Sequence, residues 1–256
     1  MTSILVTGGT GTLGRLVVPL LSDAGFTIRV LSRRGGGPAD GVEHVTGDLL
    51  TGAGVEAAVD GAEVVLHLAG GSKGDAEATA RLVRAAAKVD GVRNIVYISA
   101  IGADRVPLGW FRAKLGAERA VAESGLPWTT LRAAQFHDLA LTVVAKMAKL
   151  PVVPIPGGLR FEPVDARDVA ERLVELVVGS PAGRVPDLAG PKVYGMGELV
   201  RGYLGVRGKR RVTLPVRMPG QAGRAYRAGE NLSREGATLG RRTWEDFLAE
   251  RVLTDR

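Results

Sequence analysis

An α/β fold with a parallel sheet wound on both faces is predicted by three features of the sequence. Short runs rich in Val, Ile and Leu alternate with longer stretches of helical periodicity through the first half of the chain, the rhythm of parallel strands joined by helical crossovers. A glycine-rich turn, Thr7-Gly8-Gly9-Thr10-Gly11-Thr12-Leu13-Gly14, joins the first apolar run to the first helical pattern. Beyond Leu131 the rhythm breaks and a different layer begins. The 256 residues, 45% of them hydrophobic, suffice for a large core. One continuous structural unit is expected, with residues 1–135 as its core and 136–256 as a smaller lobe packed on it.

Strands are predicted at Ile4–Thr7, Ile28–Leu31, Glu43–Thr46, Val64–Leu68, Ile95–Ser99 and Trp128–Leu131. Helices fill the intervals at Leu13–Ser22, Gly52–Val59, Asp75–Val89 and Phe111–Ser124. Gly25, Gly91 and Gly125 each follow a helical run, where a left-handed residue closes the last turn. Past the sixth strand a helix spans Asp138–Lys149, and Leu150-Pro151-Val152-Val153-Pro154-Ile155-Pro156 is too rich in proline for a central strand. Asp165 and Asp168 precede the stripe Val169, Leu173, Val174, Leu176 and Val177, an acidic start for another helix. Gly and Pro turns, a strand-like Val212-Thr213-Leu214 and a last helix near Thr243–Val252 complete the chain, with no internal repeat.

Composition removes several classes of function. Without cysteine there is no disulfide framework, thiolate metal site or cysteine nucleophile, and a reduced, cytoplasmic setting is expected. No apolar run reaches the roughly 18 residues that span a bilayer, so no membrane role is expected. Lys and Arg number 34 against 27 Asp and Glu, a net charge of +7 that invites a nucleic-acid partner. The basic residues are scattered, however, and aromatic residues at 5% offer few stacking platforms beside the densest cluster, Arg207-Gly208-Lys209-Arg210-Arg211. A solvated, arginine-rich surface is the simpler account.

The glycine turn carries the strongest functional signal. Gly8, Gly11 and Gly14 permit a tight turn, close approach of a pyrophosphate and close packing of a helix on a sheet, while Thr10, Thr12 and Leu13 bring backbone N–H groups to the helix start. In its strand and helix context this is the dinucleotide site of a Rossmann-type sheet. The second strand ends Val30-Leu31-Ser32-Arg33-Arg34, without the carboxylate that a ribose 2′-hydroxyl would require. Ser32, Arg33 and Arg34 suit a 2′-phosphate, which makes NADP(H) the expected cofactor. The alternative is that the arginines only solvate the turn before Gly35-Gly36-Gly37. Asp48 lies one residue past a glycine at the end of the third strand, where open sheets receive ligands, and there it also suits an Asx-turn or a helix cap.

These residues, with Gly47-Asp48-Leu49, Leu68-Ala69-Gly70, Val96-Tyr97-Ile98-Ser99, Ala113-Lys114 and Phe161–Ala170, resemble atypical members of the short-chain dehydrogenase/reductase superfamily, the NmrA-like and NAD(P)H quinone-reductase-like proteins. The resemblance implies that Asp48 bonds the adenine edge, with Leu49 also in the cofactor site, and that Ala69 and Gly70 line the adenosine ribose. It further implies a small C-terminal substrate lobe. Standard members of the superfamily carry a Tyr-x-x-x-Lys helix, in which the lysine holds the nicotinamide ribose, and a serine on the preceding strand end. By that resemblance Lys114 and Ser99 take those places; without it, Ser99 reads equally as an ordinary turn residue, and the alternative for Lys114 is an exposed helix lysine with no partner. Trp110 stands where the tyrosine would be, followed by Phe111, and neither ring is a general acid near neutral pH.

His137, just beyond the sixth strand, is a candidate substrate contact or replacement acid; the competing reading is that Asp138 caps the next helix and His137 merely flanks it. His44 and His67 fall within strands and read as core or sheet-face residues. No metal-ligand spacing is present. Two functions remain open: an NADPH-dependent oxidoreductase acting on a quinone or conjugated carbonyl, with an apolar or aromatic small molecule as its partner, or a non-catalytic NADP(H) sensor.

Overall fold

The protein was analysed as a computed structural model that describes residues 2–35, 41–71 and 74–253. It divides into two compact units, one of Met1–Ser99, Gly109–Arg132 and Val169–Val185, the other of Ala100–Leu108, Ala133–Asp168 and Pro186–Arg256. The chain therefore crosses between units several times, whereas the sequence reading cut it once, after residue 135.

The first unit is built on β1 (Ser3–Thr7), β2 (Thr27–Ser32), β3 (Val42–Thr46), β4 (Val64–His67), β5 (Asn94–Ala100) and β6 (Trp128–Ala133), with helices α1 (Gly14–Asp23), α2 (Val55–Val59), α3 (Asp75–Ala86) and α4 (Gly109–Ala122) between them. The strand order is β3-β2-β1-β4-β5-β6. β1 pairs in parallel with β2 and β4, β2 with β3, and β4 with β5. This is a Rossmann-like α/β sheet whose order reverses between β1 and β4, the place where such sheets open a ligand crevice. Ile4, Leu5 and Val6 have no exposed surface, as expected for a strand covered on both faces. On one face Leu5, Val65, Ile95 and Tyr97 pack with Ala58, Leu82 and Ala117 from the helices.

Helix boundaries follow the backbone rather than the apolar pattern. α1 buries Gly14, Val17 and Leu21 at helical spacing and closes where Gly25 (φ 82) donates to Ser22 O and Phe26 to Leu21 O. α2 begins at Val55, not Gly52, because Gly52 and Gly54 both have positive φ, and a Cβ at Gly54 would overlap Thr46 O. α5 (His137–Met147) begins one residue before Asp138, with Phe136 at the N-cap and no side-chain cap. Asp138 instead accepts from Arg251.

The proline-rich run forms β7 (Val152–Pro156), which pairs with β12 (Val212–Val216) in a two-stranded sheet. Pro154 and Pro156 thus sit on an edge, where a missing N–H costs nothing. β8 (Arg160–Phe161) pairs with β11 (Tyr194–Gly195), and β10 (Leu188–Ala189) with β13 (Thr238–Leu239). α6 (Ala166–Val178) buries Val169, Leu173, Leu176 and Val177, and the Leu176 carbonyl accepts from the Asn94 amide; β9 (Gly183–Arg184) extends β6 in parallel. α7 (Met196–Val206), α8 (Gly220–Ala228) and α9 (Trp244–Leu253) complete the chain, and Leu199, Val200, Leu204, Trp244 and Phe247 form the second unit's core. Among the described residues no helix is long and apolar enough to cross a membrane.

Candidate active site

The turn after β1 separates three glycines by what surrounds them. Gly8 has φ 72, and a Cβ there would lie 2.6 Å from Ala69 N, so the turns after β1 and β4 touch through it. A Cβ at Gly14 would overlap Gly8 O and Gly9 Cα, so the helix start rests directly on the turn. Gly11 differs: a Cβ there would meet only Gly8 O, at 3.3 Å, and the rest of its flank is open. The Gly11 N–H is bonded to Gly8 O and the Arg15 N–H to Gly11 O. Between them the N–H groups of Thr12, Leu13 and Gly14 find no backbone acceptor among the described residues. Free donors at a helix start beside an uncovered glycine fit an anion.

This turn forms one wall of a cleft of about 430 Å³ in the first unit. Gly8, Thr10 and Gly11 line it from β1, Ser32 and Arg33 from β2, Asp48 and Leu49 from β3, and Ala69 and Gly70 from β4. Nine of the residues singled out in the sequence therefore meet around one cavity. Thr12 and Arg34 are exposed, Leu13 and Gly14 are buried at the start of α1, and none of the four belongs to the lining. Ser32 Oγ donates to Gly35 O at 3.0 Å and closes its own turn, while Arg33 is exposed at the rim. Gly36 and Gly37 lie outside the described residues. Asp48 does form an Asx-turn, its Oδ1 accepting from Leu50 N at 2.8 Å, and remains part of the wall.

Lys114 is buried on α4, 6% exposed, with its Nζ 3.2 Å from Asp75 Oδ2 at the start of α3. The ammonium donates to the Tyr97 hydroxyl at 3.2 Å and to Ile98 O at 3.5 Å, and lies over the Tyr97 ring. A Cβ at Gly70 would be 2.7 Å from Nζ, so the ammonium sits directly behind the cleft wall. Burial first, then the carboxylates of Asp75 and Glu118, hold the Tyr97 phenol far above its ordinary range. Tyr97 stays a neutral partner of the lysine.

His67 stacks on Tyr97 beneath the cleft. Thr7 Oγ1 accepts from Ala69 N and donates to His67 Nδ1 at 2.6 Å, while Thr79 Oγ1 donates to Asp75 O and accepts from His67 Nε2 at 2.9 Å. The sequence of donors assigns the imidazole proton to Nε2. Burial, aided by the charge of Lys114, pushes His67 down to about 3, so it is a neutral strut tying the Ala69 turn to the start of α3.

The remaining candidates are not brought into the cleft. Trp110 is 38% exposed and meets Phe111 edge-on, so the helix position of the tyrosine holds a surface indole. Ser99 is buried, and its Oγ has no hydrogen-bond partner among the described residues. His137 has no exposed surface; it packs on Trp244 and Phe247, and its Nδ1 is 3.8 Å from Asp165 Oδ2. A ring enclosed in this way touches no substrate, and it belongs to the packing of the second unit. Although burial raises Asp165, the hydrogen-bonded Arg167 guanidinium outweighs it and holds the carboxyl well below the usual carboxylate range. Asp75, Tyr97 and the threonines flanking His67 were not singled out in the sequence. An acidic residue opening the helix after the fourth strand was the signal available for Asp75.

Fold and cleft define a Rossmann-like dinucleotide-binding protein with a buried lysine beside the nucleotide wall. The chain belongs to the NAD(P)H-binding family, whose model matches residues 8–178, and is an atypical, NmrA-like short-chain dehydrogenase/reductase and an oxidoreductase. It is 33% identical over 199 residues to a (4-alkanoyl-5-oxo-2,5-dihydrofuran-3-yl)methyl phosphate reductase of Streptomyces griseus, which covers 74% of this chain and 68% of that protein. It is 31% identical over 181 residues to an NAD(P)H azoreductase of Xenophilus azovorans, covering 67% of this chain and 62% of that protein. In fold it is similar to an NADPH-dependent quinone oxidoreductase of Escherichia coli solved with NADPH, with a TM-score of 0.81 and 21% identity over 96% of this chain and 99% of that one.

Proposed function

We propose that the protein is a cytoplasmic NADPH-dependent reductase of a quinone or another electron-poor conjugated carbonyl, working without the helix tyrosine. The observation that carries this is the contrast on α4: Lys114 is buried behind Gly70 beside Asp75 and Tyr97, whereas Trp110 is an exposed indole that supplies no acid. NADPH bound in the cleft supplies a hydride. An acceptor that delocalises the resulting negative charge takes its proton from water and needs no tyrosine, unlike a simple ketone, whose alkoxide is localised. The names of the two relatives, reductases of an azo compound and of an unsaturated oxo-furan, are in keeping with such acceptors.

In this account the helix start at Thr10–Gly14 holds the pyrophosphate, Arg33 and Arg34 with Ser32 hold the 2′-phosphate, and Asp48 with Leu49 borders the adenine. Ala69 and Gly70 border the adenosine ribose. Lys114 donates to the nicotinamide ribose and the second unit serves as the substrate lobe, while Ser99, its Oγ buried and outside the cleft lining, is given no contact. No acid role falls to the enclosed His137.

The test is NADPH oxidation against a panel of quinones, enones and ketones, with an NADPH-binding titration alongside. Turnover of the conjugated acceptors in preference to simple ketones supports the reductase. Tight binding with no turnover of any acceptor overturns it in favour of a sensor of NADP(H).

A further inference from the structure

We propose that Asp75 is the positioning residue for Lys114, setting the ammonium against the cleft wall while leaving one of its N–H groups for the cofactor; this rests on the role proposed above for Lys114. The two side chains are 8% and 4% exposed and lie 3.2 Å apart. A buried ammonium without a counter-charge would be strongly disfavoured. Tyr97 and Ile98 contribute only neutral acceptors, and among the described residues Asp75 is the one anion within ion-pair distance.

The form of the pairing matters as much as its charge. Asp75 Oδ2 faces Nζ yet has no hydrogen-bond partner of acceptable geometry, so the carboxylate compensates the ammonium without consuming a proton. The contacts of Nζ to Tyr97 and Ile98, at 3.2 and 3.5 Å, are long, so an ammonium N–H can turn to a ligand hydroxyl without breaking a tight bond. Asp75 is itself fixed from several sides. Its Oδ1 accepts from Gly71 N at 3.3 Å, and its carbonyl accepts from Thr79, which is bonded in turn to His67. The carboxylate is therefore a rigid reference point, and the flexible lysine stem takes its position from it.

The experiment measures dissociation constants for NADPH and for 2′,5′-ADP, a fragment that lacks the nicotinamide ribose, in wild type, Asp75→Asn, Lys114→Ala and the double variant. Each single substitution is expected to weaken NADPH about tenfold, the double variant no further, and 2′,5′-ADP is expected to bind all four alike. Wild-type NADPH affinity in Asp75→Asn, or losses that multiply in the double variant, would overturn the inference. So would an equal loss of 2′,5′-ADP, which would mark Asp75 as a general support of the cleft. If Lys114→Ala binds NADPH as wild type does, the role of Lys114 itself is wrong and the inference falls with it. A loss in Lys114→Ala beside full affinity in Asp75→Asn refutes the inference alone. Should Asp75→Asn not fold, Asp75→Glu keeps the charge but displaces the ammonium, and the same selective loss of NADPH is expected; equal affinity would again refute it.

Discussion

Gly11 and Gly14 are three residues apart in one turn, yet alanine at each should fail for a different reason. At Gly14 a Cβ would lie 2.5 Å from Gly9 C and closer still to Gly8 O and Gly9 Cα, against the roughly 3.5–4.0 Å of an ordinary carbon contact. These are backbone atoms held by β1 and by the turn, so they cannot swing aside. Overpacking costs about 1–3 kcal/mol, contact with fixed backbone lies at the top of that range, and at about 2–4 °C per kcal/mol the thermal midpoint of Gly14→Ala should fall by about 6–12 °C. At Gly11 the added methyl meets only Gly8 O at 3.3 Å, which a shift of a few tenths of an ångström relieves. Gly11→Ala should keep its thermal midpoint to within about 2 °C. Its methyl would nevertheless stand where the pyrophosphate approaches the free N–H groups of the helix start. Loss of one charge-assisted hydrogen bond is about 1.5–3 kcal/mol, a rise of roughly tenfold to a hundredfold in the NADPH dissociation constant. Calorimetric titration with NADPH and a thermal scan of both variants decide the matter. A Gly11→Ala protein that binds NADPH like wild type, or that melts as early as Gly14→Ala, would refute the division of roles.

Three further outcomes are expected. Arg33→Ala with Arg34→Ala should weaken NADPH at least tenfold and leave NADH nearly untouched, each charge-assisted pair being worth about 1.5–3 kcal/mol; equal losses in fluorescence titrations would speak against 2′-phosphate recognition. Gly70→Ala should fold, because only the end of Lys114 stands 2.7 Å from the new Cβ, but it should lose affinity for NADPH as the ammonium is pushed from Asp75; unchanged affinity would show that the place of Lys114 is immaterial. His67 should make the protein sensitive to acid: its value falls from 6.5 to about 3 on folding, so between those values the unfolded chain binds a proton that the folded protein refuses. Stability should therefore decline as pH falls through that window, by up to about 1.4 kcal/mol per pH unit from this residue. His67→Gln should flatten that decline in thermal scans, and an unaltered slope would place the acid sensitivity elsewhere.

Most of the first unit was legible because local signals and tertiary structure agree there. β1, β4 and β5 are apolar runs buried on both faces, β3 is an edge strand with no buried residue, and α1, α3 and α4 carry clear stripes between the strands. The second unit was harder. α7 holds Gly197, Gly202 and Gly205, a composition that disfavours a helix, and it is retained because Gly202 lets the Trp244 indole pack closely while Trp244 Nε1 donates to Leu199 O. α8 begins at one glycine and contains another, and was read as a turn for the same reason. The candidate residues of the cleft wall were readable because they fall at or just past the ends of strands, whereas Asp75 and Ala78 enter the lining from α3. The Asp75–Lys114–Tyr97 cluster was not, since it assembles from α3, α4 and β5 and no local spacing records that those elements meet. His137 shows the same limit: its position after β6 left a cleft contact and a mere helix flank both open, and only the fold shows Trp244 and Phe247 packed against it.

The central claim, hydride transfer to a conjugated acceptor without a helix tyrosine, is tested most directly by single-turnover oxidation of bound NADPH, with a quinone and with a simple ketone, in wild type and Trp110→Phe. The expected result is rapid oxidation by the quinone, within a few-fold in the two proteins, and little or none by the ketone. Bound NADPH that no quinone oxidises, or a Trp110→Phe protein that binds NADPH normally and has lost the reaction, would contradict it.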